Sequence, residues 1–272
     1  ICGLWVPNIY SHANRQSAAI LSGCVTCAGV APIARLSEGM QPIENSMVVI
    51  GVLSAIIAAL YAVFERDDGR ALGWSSVSQL GFAILSPSYA CIYAMQHGIC
   101  KTLLFTTLSS PIQDNESIES AQSAPTNIPE WLLVSIFVIA SLSIMGLPFT
   151  AGFITKTWLK GDIPIEASLI TSTSTLLTAT VYARLIWSRC NTYIKNLEIY
   201  KSLDQYKQNP LNPQSIVLIL SGMLIIGFSF SYQEAYYYNN IQSSLAAVVL
   251  ASFLYTSVAG LQTESFVKPV TR

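Results

Sequence analysis

The chain has 272 residues, of which 52% are hydrophobic and only 11% are charged. Soluble domains carry about 25% charged residues, so this composition excludes an ordinary soluble domain and predicts an all-α integral membrane protein. The net charge of −1 offers no basic surface for nucleic acid, and we expect no nucleic-acid partner.

Apolar segments recur along the whole chain, and most approach the length of about 20 residues that crosses the hydrocarbon core. After a boundary loop over residues 1–15, we predict a single membrane domain over 1–272 with about eight to nine transmembrane segments. Residues 109–129 and 188–212 are predicted as extramembrane loops, the second with an interfacial helix. The predicted segments are Gln16–Arg35, Ser46–Phe64, Ala71–Leu85, Tyr89–Leu108, Trp131–Leu147, Pro148–Leu159, Glu166–Trp187, Ser215–Ser231 and Ile241–Gly260.

The segment Ser141–Lys160 is an apolar helix with a break in its middle. Gly146-Leu147-Pro148 interrupts the helix, and Lys156 follows on the far side of the break. Broken helices and ionisable side chains at membrane depth mark ion and substrate sites. We therefore predict a discontinuous helix at Gly146 to Pro148 and a functional site at Lys156.

His97 and Lys101 lie four residues apart in another apolar segment, so they share one face of a helix. A buried row of Lys and His side chains is the usual material of a proton relay, which makes Lys156, Lys101 and His97 candidates for proton transfer. Two simpler interpretations stay open. Either lysine can extend its ammonium to the membrane interface, and His97 can be a hydrogen bond between helices.

Signatures of cofactor chemistry are missing from the sequence. Cys24 and Cys27 form a CxxC, but it lies inside an apolar segment without a second pair, so buried small side chains are the better interpretation. There is no Gly-rich phosphate loop and no nucleophile elbow. We expect no cofactor, no metal and no redox chemistry on this chain; whether it counts as part of an enzyme depends on its partners.

Four stretches resemble, in the same order, one family of membrane proteins. That family comprises the antiporter-like membrane subunits of proton-pumping NADH:quinone oxidoreductase, with its photosynthetic relative and the multisubunit sodium/proton antiporters. The resemblance covers about residues 1–190. The four stretches are LWVPNIYSH at 4–12, ALGWSSVSQLGF at 71–82, HGICKTLLF at 97–105 and GLPFTAGFITK at 146–156.

The resemblance implies two inverted repeats of five helices, each with a discontinuous helix, and protons that pass along a central row of Lys, His and Glu. It makes Lys156 the lysine of the second discontinuous helix and places Lys101 and His97 in the central row. The implied partners are other membrane subunits of a large complex, and lipids. The segment APIAR at 31–35 is closer to cyanobacterial and plastid members, which favours a thylakoid membrane over the mitochondrial inner membrane.

Three departures from the family pattern leave the function open. Cys27 stands where the family has a lysine, DDGR at 67–70 replaces an Asp-x-Lys-Arg pattern, and the chain matches only the C-terminal part of such a subunit, without the helix that carries the family's glutamate. One hypothesis is a proton-translocating membrane subunit of an NAD(P)H- or ferredoxin:quinone oxidoreductase. Another is a structural subunit that has lost transport. A free-standing cation/proton antiporter is the third.

Overall fold

The structure is a computed structural model that describes residues 3–37, 40–108, 128–202, 213–227, 240–242, 244–251 and 254–255. Within these ranges the chain is helical and contains no strand, which confirms the all-α prediction. Most of the predicted linker at 109–129, and parts of the last two predicted segments, lie outside the described residues.

Residues 240–242 and 244–251 are helical as well. The main helices are α1 Trp5–His12, α2 Arg15–Ser37, which contains a π-helical turn at Leu21–Val25, α3 Gln41–Phe64, α4 Asp68–Ala83, α5 Pro87–Thr107, α6 Glu130–Met145, α7 Ala151–Asp162, α8 Ile165–Ser202 and α9 Pro213–Gly227.

Among the residues that the structure describes, two stretches of helix are long and apolar enough to cross a membrane, Arg15–Ser37 and Asn45–Phe64. Shorter apolar helices occur at Glu130–Met145, Ile216–Gly227 and Asn240–Ala251. The outer face of α3 exposes large apolar side chains such as Leu53 and Leu60, as expected of a surface that faces lipid. The total of eight to nine transmembrane segments stays a prediction.

Helix α4, rich in serine, lies in the interior and packs against α1, α3, α5 and α8. Its side chains Ser75, Ser76, Ser78 and Gln79 are all buried. In lipid a polar side chain needs a protein or water partner. The surrounding helices provide those partners here, which confirms the interpretation of Ala71–Leu85 as a helix buried among other helices.

The boundary loop predicted over residues 1–15 differs from the structure, because residues 5–12 form helix α1, whose Val6 and Tyr10 provide an apolar face that is buried in the core. Of the predicted extramembrane loop with an interfacial helix at 188–212, residues 188–202 are helical and continue α8, and residues 203–212 lie outside the described residues. No Gly or Pro interrupts α8, and its polar residues Arg189 and Asn196 are buried beside α6, where Glu130 binds both.

Candidate functional site

The predicted break in the helix is present between α6 and α7, at residues 146–150. Gly146 has a φ of 85°, and Phe149, with a φ of 68°, is a second left-handed residue in the same turn. The amide of Gly146 donates to the carbonyl of Ser143 at 3.0 Å, and the amide of Leu147 donates to the carbonyl of Leu142 at 3.1 Å. This is a Schellman cap, and it satisfies two of the four carbonyls that the end of α6 leaves without helical partners.

Lys156 binds the other two carbonyls. Its Nζ donates to the carbonyl of Ile144 at 2.5 Å and lies 3.5 Å from that of Met145. The side chain of Lys156 is only 6% exposed. The break therefore does more than bend the chain, because it directs two strong acceptors at a buried ammonium. The ammonium stays inside the protein, which argues against the interpretation that Lys156 extends to the membrane interface.

Helix α7, which carries Lys156, is held against α6 and α5 at its amino-terminal end. The amide of Gly152 donates to Ser143 Oγ at 3.2 Å, and Gln96 Nε2 on α5 donates to the same oxygen at 3.1 Å. A Cβ at Gly152 would lie 1.7 Å from the carbonyl oxygen of Ser143. Because Gly152 has no side chain, the two helix ends approach closely enough for Lys156 to reach the freed carbonyls.

Lys101 lies in a second polar position, between α4, α5 and α8. Its Nζ donates to the carbonyl of Leu72 at 2.7 Å and lies 5.5 Å from the centre of the Tyr182 ring. The side chain is completely buried. An ammonium over an aromatic face is attracted by the ring quadrupole, so Tyr182 and the Leu72 carbonyl together stabilise a charge here. The interfacial interpretation of Lys101 does not fit this position.

His97 precedes Lys101 by one turn of α5, on the side that the four-residue spacing predicts. The imidazole is 1% exposed and stacks parallel to the ring of Tyr93, with 6.5 Å between ring centres. Its Nε2 has no hydrogen-bond partner among the described residues. Both Lys101 and Lys156 interact electrostatically with His97. In the described part of the chain, no helix–helix hydrogen bond through Nε2 holds this histidine in the core.

A strip of buried hydroxyl and amide groups connects α4 to α8, and sequence reasoning did not single out most of it. Gln79 Nε2 donates to Thr178 Oγ1 at 3.0 Å and its Oε1 accepts from the Tyr93 hydroxyl, while Ser75 and Tyr182 share a hydrogen bond of 2.9 Å. The available signal was the spacing. Ser75 and Gln79 are four residues apart, as are Thr178 and Tyr182, so each pair lies on one helix face.

Cys27 lies on α2 close to the candidate site. Its Sγ is 3.5 Å from the carbonyl of Ser22 and interacts electrostatically with Lys101. Cys24 and Cys27 are both free thiols. In the ranges that the structure describes, no three His, Cys, Asp or Glu side chains come together as a metal site would require.

The geometry describes a class of protein: a bundle of apolar helices in which a broken helix holds one buried lysine and a neighbouring helix carries a buried lysine and histidine. The particular family follows from comparison with known proteins. Residues 2–186 match the family described as NADH:quinone oxidoreductase/Mrp antiporter, transmembrane region, and the chain belongs to this family.

Among curated relatives, "NADH-ubiquinone oxidoreductase chain 5" of Metridium senile is 26% identical over 249 residues, which cover 82% of this chain and 40% of the relative. "NADH-quinone oxidoreductase subunit N" of Buchnera aphidicola is 27% identical over 258 residues, covering 82% of this chain and 50% of the relative. The chain thus spans half or less of the length of these relatives.

Two solved structures share the fold. The Mrp complex from Dietzia sp. DQ12-45-1b superposes with a TM-score of 0.70 at 16% identity, over 98% of this chain and 33% of the other. Respiratory complex I from Thermus thermophilus superposes with a TM-score of 0.60 at 19% identity, over 83% of this chain and 51% of the other. At these identities the comparison establishes the antiporter-like fold alone.

Proposed function

We propose that this chain is a proton-translocating membrane subunit of an NAD(P)H- or ferredoxin:quinone oxidoreductase-type complex, in which protons pass along Lys156, His97 and Lys101. The observation that supports it best is that the side chains of Lys156, Lys101 and His97 are all buried, with Lys101 one helical turn from His97 on α5. Redox chemistry belongs to partner subunits, and so does any enzymatic activity of the complex.

The environment of the two lysines favours a functional role over a structural one. A buried ionisable group in a membrane protein is expensive, and the usual reason for its presence is ion or proton transfer. Each lysine nitrogen contacts carbonyl oxygens, and neither lysine forms an ion pair with a carboxylate of the described residues. Carbonyl partners stabilise an ammonium without neutralising it, so each lysine can release its proton without leaving a buried anion unpaired.

His97 is suited to exchange protons between the lysines. A neutral imidazole has one nitrogen that donates and one that accepts, and Nε2 is available because no described residue binds it. Since the charges of Lys101 and Lys156 act on the same imidazole, a change of charge at one lysine changes the cost of protonating His97. That coupling is what a relay with three members requires.

The test is proton pumping in membrane vesicles that contain the assembled complex, followed by a pH-sensitive dye while quinone is reduced. Lys156→Ala is expected to abolish pumping. Lys195→Ala is the matched control, because Lys195 is exposed on α8 and its removal should leave pumping unchanged. His97→Gln is a second variant in case Lys156→Ala lowers the amount of assembled complex. Normal pumping by Lys156→Ala in a fully assembled complex contradicts the proposal.

A second candidate function is a structural subunit of a respiratory or photosynthetic complex that has lost transport. The observation in its favour is Cys27, a free thiol near Lys101 at the position where the family resemblance implies a lysine. In that case Lys156→Ala and His97→Gln reduce assembly or stability but not the protons pumped per quinone reduced. The ratio of the two rates therefore separates the two functions.

For location we propose an energy-transducing membrane, with other membrane subunits and lipids as the partners of the chain. The APIAR segment at 31–35 favours the thylakoid, and the mitochondrial inner membrane is the alternative. Fractionation of the two membranes followed by detection of the chain decides between them.

A further inference from the structure

Another buried charge lies where α6 begins beside the later part of α8. Arg189 Nη1 is 3.4 Å from Glu130 Oε1, and Asn196 Nδ2 donates to the same oxygen at 3.1 Å. Arg189 is only 4% exposed, whereas the Glu130 side chain is 28% exposed. The pair thus lies just below the surface, with the arginine on the inner side.

The arginine uses only one end of its guanidinium for this ion pair. Its Nε and Nη2 are both buried, and neither has a hydrogen-bond partner among the described residues. These two atoms form the side-on edge of the guanidinium, whose parallel N–H groups match two oxygens of a phosphate or carboxylate. A buried donor without an acceptor is costly. Here both donors of one guanidinium edge lack an acceptor among the described residues. That arrangement indicates an anionic ligand with two oxygens.

A second cation lies near this edge. Arg15, exposed at the start of α2, interacts electrostatically with Arg189, and Glu130 is the carboxylate that pairs with Arg189. A phosphate at the Nε/Nη2 edge is attracted by both arginines.

The depth of the cluster indicates the source of that anion. Trp131 directly follows Glu130, Trp187 lies two residues before Arg189, and the two indoles are 45% and 59% exposed. Exposed tryptophans on apolar helices mark the level of the lipid headgroups. After Trp187 the sequence of α8 also turns polar, at Ser188 to Asn191. The Arg189–Glu130 pair therefore lies at about the level where phospholipid phosphates are most concentrated.

We propose that the Nε/Nη2 edge of Arg189 binds the phosphate of an anionic membrane phospholipid, with Arg15 as a second cation and Glu130 and Asn196 as the groups that orient the guanidinium. This site is separate from Lys156, Lys101 and His97 and does not depend on proton transport by the chain.

The test is the thermal stability of the full chain, purified in neutral detergent with its associated subunits. The probes are dihexanoylphosphatidylglycerol, dihexanoylphosphatidylcholine and inorganic phosphate. For the unchanged protein we expect phosphatidylglycerol to raise Tm by about 5–10 °C at a concentration roughly 100 times its dissociation constant. Phosphatidylcholine and inorganic phosphate are expected to have much smaller effects.

Three variants make the test specific. Arg189→Gln should lose the rise in Tm. Arg189→Lys should lose most of the rise in Tm, because lysine retains the charge but lacks the two-donor edge. If Arg189→Gln does not fold, Arg189→Lys is the variant that tests the proposal. Arg35→Gln is the control, since Arg35 is an exposed arginine on α2, and it should retain the full rise.

Several results overturn the proposal. An equal rise in Tm for Arg189→Lys and the unchanged protein means that the lipid binds elsewhere. A rise with inorganic phosphate as large as that with phosphatidylglycerol means that the ligand is free phosphate and not a lipid. No rise with any probe in the unchanged protein assigns the edge to a carboxylate of a partner subunit or to water.

Discussion

Replacement of Gly152 by alanine tests the packing that holds the broken helix together. The added Cβ would lie 1.7 Å from the carbonyl oxygen of Ser143, 2.7 Å from the carbon of that carbonyl and 3.2 Å from Gln96 Nε2. The closest ordinary contact between carbon and oxygen is about 3.3 Å, so α7 must move away from α6 by about 1.5 Å. The obstacle is backbone, and no rotation of a side chain can relieve it.

The expected loss of stability follows from two opposing effects. Insertion of a methyl group into a well-packed core costs about 1–3 kcal/mol, while Gly→Ala in a helix contributes about 0.5–1 kcal/mol in the other direction. The steric effect dominates because the clash involves backbone. Gly161→Ala on the same helix is the matched control, since a Cβ there meets nothing within 4 Å. That variant should be as stable as the unchanged protein or slightly more stable.

The displacement also reaches the candidate site. Lys156 lies one turn after Gly152 on α7 and moves with the helix, away from the carbonyls of Ile144 and Met145 that its Nζ now contacts. Displacement of a functional group by 1 Å can reduce a rate on the order of 100-fold. If the proposed function is correct, Gly152→Ala reduces pumping at least about tenfold in complexes that still assemble.

The assays are Tm in detergent and pumping in vesicles, both compared with Gly161→Ala. Gly152→Ala should lower Tm by about 2–12 °C, at roughly 2–4 °C for each kcal/mol lost. A Tm equal to that of Gly161→Ala would refute the close approach of α6 and α7. A lowered Tm with normal pumping retains the packing argument but contradicts the role of the Lys156 position in transport.

Two further predictions concern polar groups outside the break. Tyr93→Phe removes the hydroxyl that donates to Gln79 Oε1. Because a buried acceptor then lacks its partner, we expect a loss of about 1–3 kcal/mol in the free energy of unfolding, measured as a fall in Tm. Tyr61→Phe, on an exposed tyrosine, is the control, and equal Tm values for the two variants would contradict the hydrogen bond. Asp67→Ala removes the side chain that caps α4 by accepting from the amide of Arg70 at 2.6 Å. It should destabilise the protein by about 1 kcal/mol, whereas Asp67→Asn should lose a few tenths at most, and the same fall in Tm for both would attribute the effect to charge instead of the cap.

Local patterns in the sequence were sufficient for the break and for the shared face of His97 and Lys101. Gly146 and Pro148 interrupt a helix through their own backbone properties, and the four-residue spacing follows from helix geometry alone. Local patterns were not sufficient at residues 188–202. The polar composition there predicts an extramembrane loop with an interfacial helix, whereas α8 continues through this segment, in which Arg189 and Asn196 both bind Glu130.

The class of protein could be predicted from the sequence, because long apolar segments with few charged residues favour membrane helices, and Gly146-Leu147-Pro148 predicts the position of the break. The groups that hold each charge become visible only when the helices are packed together. Lys156 binds the carbonyls next to the break, Lys101 lies against Tyr182, and the Nε/Nη2 edge of Arg189 has no hydrogen-bond partner in the part of the chain that the structure describes. The difference arises because helix propensity and periodicity depend on residues within about one helical turn. The partner of a buried charge, in contrast, depends on how helices distant in the chain pack together.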